Sequence, residues 1–326
     1  MSPRMHALLC LAAATVLLPP GGSGLADSFP NRPIRLVVPY AAGTTVDIRA
    51  RQVAERISGP LGVSVLVENR PGAGATIGAA YVAKSPPDGY TLLVGSVAEQ
   101  AVAPAVQSSL PYDPRRDFAP ITQYAETAAI LVADPALGVD SMRELIALAK
   151  RKPGALTIGS WGNGTLSHLL CFQLNKVAGI EIVHVPYKSS SQGLIDVAGG
   201  RLSLMWDYPV SSGPLIKAGK LKALMVIGEQ RVAPLPDVPS ASEVGLAQMR
   251  HKSWGGFFAP AGTPKDIVAR LNREIVRALR SAEMERILAE QGSRVVTNTP
   301  EAFAAFIRRE QEALAALARA AGVRVD

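Results

Sequence analysis

The feature that most constrains this chain is an alternation: short β-branched or apolar runs recur over much of its length, and helical patterns fill the intervals between them. The runs are Ile34 to Val38, Val63 to Val67, Thr91 to Val94, Ile130 to Ala133, Leu156 to Ile158, Ile182 to Val185, Leu202 to Met205 and Leu224 to Ile227. Each has the length of a strand, and strands that alternate with helices argue for an α/β fold with largely parallel sheets. One interval shows the helical period clearly. Val46, Ala50, Val53 and Ile57 fall at i, i+4, i+7 and i+11, so they form one apolar stripe of a helix packed on a sheet. Arg49, Arg51, Glu55 and Arg56 are expected on its other face.

The C-terminal third has a different character. Thr263-Pro264-Lys265-Asp266 and Thr299-Pro300-Glu301 each place a hydroxyl N-cap before a first-turn proline and an early acid, so both predict helix starts. The last helix carries Phe303, Phe306, Ile307, Leu314 and Leu317, an apolar stripe that must rest on a lobe already built, the N-terminal one. The sequence has no internal repeat, low-complexity tract or long linker. Two lobes joined by crossing strands are therefore expected: residues 27–122 and 254–326 as lobe 1, and residues 123–253 as lobe 2. Pro120 to Tyr124 and His251 to Phe257 are the candidate crossings.

Before the first strand, Arg4 precedes a run from Ala7 to Leu18, followed by Pro19, Pro20 and small residues. That run is too short to span a hydrocarbon core about 30 Å thick, and Gly24-Leu25-Ala26 suits a cleavage site, so residues 1–26 read as a signal peptide cut near Ala26. Export to the periplasm follows. Cys10 leaves with the leader, so Cys171 stands alone and no intramolecular disulfide is expected. The formal net charge of +7 comes from dispersed groups such as Arg115/Arg116, with no aromatic interleaving that would mark a nucleic-acid track. A mild positive field suits an anionic small molecule.

Several ordered segments resemble one family. They are Phe29-Pro30-Asn31-Arg32-Pro33-Ile34-Arg35, Val67-Glu68-Asn69-Arg70-Pro71-Gly72-Ala73-Gly74, Pro87-Asp88-Gly89-Tyr90-Thr91-Leu92-Leu93 and Leu110-Pro111-Tyr112-Asp113-Pro114. Gly162-Asn163-Gly164-Thr165, His184-Val185-Pro186-Tyr187-Lys188 and Ala259-Pro260-Ala261-Gly262-Thr263-Pro264 follow in the same order. Together they resemble the tripartite tricarboxylate transporter receptors, the Bug or TctC-like extracytoplasmic solute-binding proteins, across essentially the whole mature chain. The resemblance implies a type II periplasmic binding fold: two doubly wound lobes, a ligand cleft between them, and closure on the ligand. It also implies a small organic anion, mostly a carboxylate, as ligand and the membrane permease subunits of a transporter as transient partners. A monomer without cofactor, metal or catalytic residues is expected.

Two glycine-bearing turns are the candidate anion sites, because each leads from a strand into a helix whose first amides lack partners. The first is Tyr40-Ala41-Ala42-Gly43-Thr44-Thr45-Val46-Asp47; where the family pattern carries Pro-Gly-Gly before the Asp, this chain has Ala42, Gly43 and Thr44. Thr44 and Thr45 either donate to the ligand or cap the helix, and Asp47 is expected to orient the loop. The second turn contains Trp161, Asn163, Gly164 and Thr165, with His168 in the first turn of its helix. Trp161 either covers the ligand's carbon chain or packs, and His168 serves as a ligand contact or as a structural hydrogen-bonding residue. Ser96, Tyr187 and Asp207, each near the end of a run, complete the candidate set.

Competing chemistries fit less well. Gly72 to Gly78 is not followed by the Gly-Lys-Ser/Thr of a nucleotide loop and is expected to be a scaffold turn. His168, Cys171 and His184 lack a fourth ligand for zinc, and no Gly-x-Ser-x-Gly elbow supports a hydrolase. The alternative that sequence leaves open is a sensor using the same cleft for signalling.

Overall fold

The structure, a computed structural model, describes residues 29–325. The expected leader, its cleavage point and Cys10 lie outside those residues. In chain order the elements are β1 (Ile34–Val38), α1 (Thr45–Leu61), β2 (Val65–Asn69), α2 (Thr76–Ala83), β3 (Thr91–Ser96), α3 (Ala103–Val106), β4 (Phe118–Thr127), β5 (Ile130–Ala133) and α4 (Met142–Arg151). They continue with β6 (Thr157–Ser160), α5 (Leu166–Ala178), β7 (Val183–Pro186), α6 (Ser190–Ala198), β8 (Leu204–Asp207), α7 (Pro209–Lys217) and β9 (Lys222–Val226). Last come β10 (Ser253–Pro260), α8 (Lys265–Leu279), α9 (Ala282–Glu290), β11 (Ser293–Val295) and α10 (Pro300–Ala321).

These strands form two sheets with helices around them, an α/β architecture of two lobes. The first has the order β11-β4-β10-β3-β1-β2 and the second β7-β6-β8-β5-β9. The expectation of largely parallel sheets needs correction. β1 pairs in parallel with β2 and β3, and β6 with β7 and β8, but β10 runs antiparallel to β3 and β4, and β5 antiparallel to β8 and β9. A strand buried on both faces is an apolar run in either direction, so its composition does not report its polarity. The first crossing lies further along the chain than its candidate, and the return falls within the second candidate, His251 to Phe257. Pro120 to Tyr124 lies within β4, the chain passes to the second sheet through Ala128 and Ala129, and it returns at Ser253, which pairs with Thr127.

Local chemistry explains most helix starts. Thr299 caps α10 by accepting from the Ala302 amide at 3.2 Å. Thr263 does not cap α8 as expected: its hydroxyl donates back to the Pro260 carbonyl at 2.8 Å, and Pro264 is the residue before the helix. Arg49, expected on the outer face of α1, is buried among Val53, Ile57 and the helix's other inward residues. On α10, Phe303, Ile307, Leu314 and Ala318 belong to one core cluster with Leu131 and Trp206 of the second sheet and Leu166 and Leu170 of α5. The last helix therefore braces both lobes, and a buried phenylalanine such as Phe303 contributes about 2–3 kcal/mol to that packing. No helix among the described residues is long and apolar enough to cross a membrane.

Candidate functional site

In an open α/β sheet the loops that follow parallel strands gather at one edge, outside the carboxyl ends of those strands. Here the edges of the two sheets meet across a crevice of about 330 Å³. Tyr40 follows β1, Ser96 ends β3, Trp161 and Asn163 to Thr165 follow β6 and Tyr208 follows β8, and all of these border it. Of the residues expected at the site, Tyr40, Ser96, Trp161, Asn163, Gly164 and Thr165 line this space. Ala42 and Gly43 are exposed on the first turn; Thr44, Asp47, His168, Tyr187 and Asp207 stand behind the walls or elsewhere.

The first turn is built around Asp47, which is 2% exposed. Its carboxylate accepts from the Gly43 amide at 2.9 Å, from Asn69 at 2.8 Å and from Arg51 Nε at 3.1 Å. Burial by itself raises the pKa of Asp47, but these hydrogen bonds and the Arg51 charge outweigh it and leave the group below its ordinary value. Asp47 thus orients the loop, and the Gly43 amide is committed to it instead of being free for an anion. Gly43 sits at φ +82°, where a glycine avoids the strain other residues meet. Thr44 accepts from the Asp47 amide at 3.4 Å as the cap. The first helical bond of α1 runs from the Ile48 amide to the Thr44 carbonyl, so the Thr45 and Val46 amides precede it and have no partner within the helix.

Beneath this turn lies a polar cluster. The Tyr40 hydroxyl is 2.7 Å from Ser96 Oγ and donates to Glu99 at 3.0 Å, and Glu99 also accepts from the Ser96 amide and hydroxyl. Glu99 is fully buried, on a wide π turn over Ala98–Val102, and burial pushes its carboxyl up to about 7. The Tyr40 hydroxyl is raised well above its ordinary value, first by burial and then by the neighbouring Glu99.

The second turn uses neutral groups. The Trp161 amide donates to Ser167 Oγ at 2.9 Å, the Gly162 amide to Ser160 Oγ at 3.2 Å and the Gly164 amide to His168 Nδ1 at 3.2 Å. Thr165 caps α5 by accepting from the His168 amide at 3.4 Å. His168 stacks on His184 with ring centroids 4.1 Å apart, and His184 Nε2 is 2.6 Å from Ser160 Oγ. Desolvation lowers both imidazoles, His184 to about 4 with help from the neighbouring His168, so both are neutral near pH 7. His168 therefore supports the turn from behind. Trp161 stacks on Tyr208 at 4.5 Å and borders the crevice as an aromatic wall.

Tyr187 donates to Asp196 at 2.9 Å, and Asp207 accepts from Ser211 at 2.5 Å while its other oxygen has no partner among the described residues. Burial raises the Asp207 carboxyl. The buried Cys171 thiol contacts the Gly159 carbonyl, and no group of three or more His, Cys, Asp or Glu able to hold a metal is found among the described residues.

Sequence reasoning missed several parts of the wall, among them Val97, Ala98, Val102 and Val325. Gly74 lines the crevice from the turn read as scaffold, where Ala73, Gly74 and Ala75 all have positive φ (46°, 62° and 78°). Such consecutive left-handed residues store strain, and the sequence hint was the alternation of glycine with the smallest side chain. Tyr208 and Ser253 also border the crevice. For Tyr208 the available signal was its place after a strand and before Pro209, a possible helix start.

Compared with known proteins, residues 49–323 match the family described as "Tripartite tricarboxylate transporter family receptor". The chain is 35% identical to Protein BugT of Bordetella pertussis over 303 residues, covering 92% of each sequence. Among solved structures it is similar to R. palustris Rpa4515 with adipate, at 34% identity and a TM-score of 0.80, covering 91% of this chain and 99% of that one. It is likewise similar to MatC (Rpa3494) from Rhodopseudomonas palustris with bound malate, at 31% identity and a TM-score of 0.75, covering 89% and 99%.

Proposed function

The chain belongs to the tripartite tricarboxylate transporter receptor family, and from that premise we propose that it captures a small organic anion, a carboxylate, in the crevice between its lobes. The captured anion passes to the integral-membrane permease subunits of such a transporter. In this reading the protein is exported, loses its leader near Ala26 and works in the periplasm as a monomer that returns its ligand chemically unchanged.

The observation that carries the reading is that turns from two different sheets, each the start of a helix, open onto one crevice. Amides at the start of α1, with its dipole, attract negative charge, and the same holds for α5. The Trp161–Tyr208 pair offers an apolar surface for the carbon chain. The volume of about 330 Å³ is that of a small-ligand site. Two solved relatives hold adipate and malate, which makes such acids the first compounds to try.

A thermal-shift screen of small carboxylates, followed by calorimetry and mass spectrometry of the recovered ligand, tests this. A ligand at 100 times its Kd adds about 2.7 kcal/mol of stability, which should raise Tm by several degrees. A flat screen across mono-, di- and tricarboxylates, or a ligand recovered in altered form, would sink the proposal.

A further inference from the structure

Beside the crevice stands a buried arginine with no acid. Arg49 is 1% exposed, and its guanidinium donates to two neutral amide oxygens, Gln52 Oε1 at 3.2 Å and Gln291 Oε1. Its neighbours Arg51 and Arg56 form ion pairs with Asp47 and Glu283, but no Asp or Glu pairs with Arg49 among the described residues. Glu99, the buried acid behind Tyr40 and Ser96, is engaged by both of them. A guanidinium keeps its proton in proteins, and a buried charge without a counter-charge is costly.

Arg49 lines a side cavity of about 150 Å³, together with Tyr124, Thr127 and Gln291. No acidic residue borders that cavity, and it shares Val46, Ser96, Tyr208 and Ser253 with the main crevice, so the two spaces adjoin. A small anion entering the crevice thus has, next to the unpaired Thr45 and Val46 amides at the start of α1, a second electropositive compartment with a planar fork of donors.

We propose that Arg49 is a specificity-determining residue: the side cavity receives a second carboxylate of the ligand, and the Arg49 guanidinium is its counter-ion. This rests on the receptor reading and narrows it to small dicarboxylates. One carboxylate sits at the free amides that start α1, the carbon chain lies along Tyr208, and the other carboxylate lies against Arg49. Charge-assisted bonds in a desolvated cavity are strong enough to separate a diacid from the monoacid of equal length.

The test is calorimetric titration of the linear diacids from succinate to pimelate, and of the monoacids of matching chain length, into the wild type, Arg49→Gln and Arg49→Lys. The wild type should prefer at least one diacid over its matched monoacid by about thirty-fold or more. Arg49→Gln should abolish that preference while leaving monoacid affinity within about two-fold, and Arg49→Lys should keep part of it. An equal loss for both acids in folded Arg49→Gln, or an undiminished preference, overturns the proposal and leaves Arg49 as a staple between α1 and the turn at Gln291. The wild-type comparison decides on its own if Arg49→Gln does not fold. Wild type that binds monoacids as well as diacids sinks this inference while the receptor reading stands. Wild type that binds no carboxylate of any kind sinks both.

Discussion

At the turn after β1 the glycine amide is held by a charge; at the turn after β6 the equivalent amides are held by hydroxyls and a neutral imidazole. Asp47 brings Gly43, Asn69 and Arg51 to one buried carboxylate, so the first turn is fixed by a charged hub. Ser160, Ser167 and His168 each hold one amide of the second turn, and no ion holds them together. Similar backbone shapes are thus stabilised by unequal means. The charged hub makes the first turn the stiffer partner, whose damage should cost most, while the second can lose one hydrogen bond and keep the rest.

The largest effect expected from this contrast is at Gly43. An added Cβ there meets nothing within 4 Å, so Gly43→Val has room to fold, but a β-branched residue at φ +82° is strained by about 1–3 kcal/mol and distorts the turn. Carboxylate affinity should fall by about a hundred-fold or more in calorimetry, with an unchanged far-ultraviolet spectrum; undiminished binding by a folded variant would remove the first turn from the site.

Asp47→Ala should cost about 2 kcal/mol in urea unfolding, because it leaves the Gly43 amide and Asn69 without their acceptor. Since the folded pKa of Asp47 is lowered, its contribution is present above the unfolded value and lost as pH falls through the folded one. Wild type and variant should therefore converge in stability below about pH 4. Thr165→Val, at the neutral turn, should cost about 1 kcal/mol, the loss of one cap, with a difference from wild type that does not change between pH 5 and 8. If Thr165→Val proved more damaging than Asp47→Ala, the ranking of the two turns would be reversed.

The smallest effect expected is on pH dependence. Glu99, raised to about 7 by burial, contributes stability fully below its unfolded value of 4.5 and loses that contribution as pH rises through about 7. An anion bound across Tyr40 and Ser96 disfavours ionised Glu99 further, so carboxylate affinity should drop a few-fold between pH 6 and 8. Glu99→Gln should flatten that profile, and a slope that survives the substitution would place the titrating group elsewhere.

The site was legible in the sequence where its chemistry is local. Thr44 and Thr165 cap their helices because a hydroxyl three residues before an amide needs no distant partner, and Asp47 orients its loop through a bond to Gly43 four residues away. Thr263 shows the limit even there, since its hydroxyl found the Pro260 carbonyl instead. Arg49 was read as an outer-face residue because charge argues for solvent; its amide partner Gln291 is 242 positions away, and only the docking of the α9–β11 turn onto α1 brings it in.

The sequence by itself determined eight of the strands, the starts of α1 and α10, the glycine-bearing turns and the family, since periodicity, capping and turn chemistry act between residues a few positions apart. Only the tertiary structure decided that β10 runs antiparallel between β3 and β4, that both turns open on one crevice bordered by Tyr208, and that a buried arginine lines the cavity beside it. The reason is physical: strand polarity, burial of a charge and the meeting of two sheet edges are set by contacts between segments far apart in the chain, and no local pattern records them.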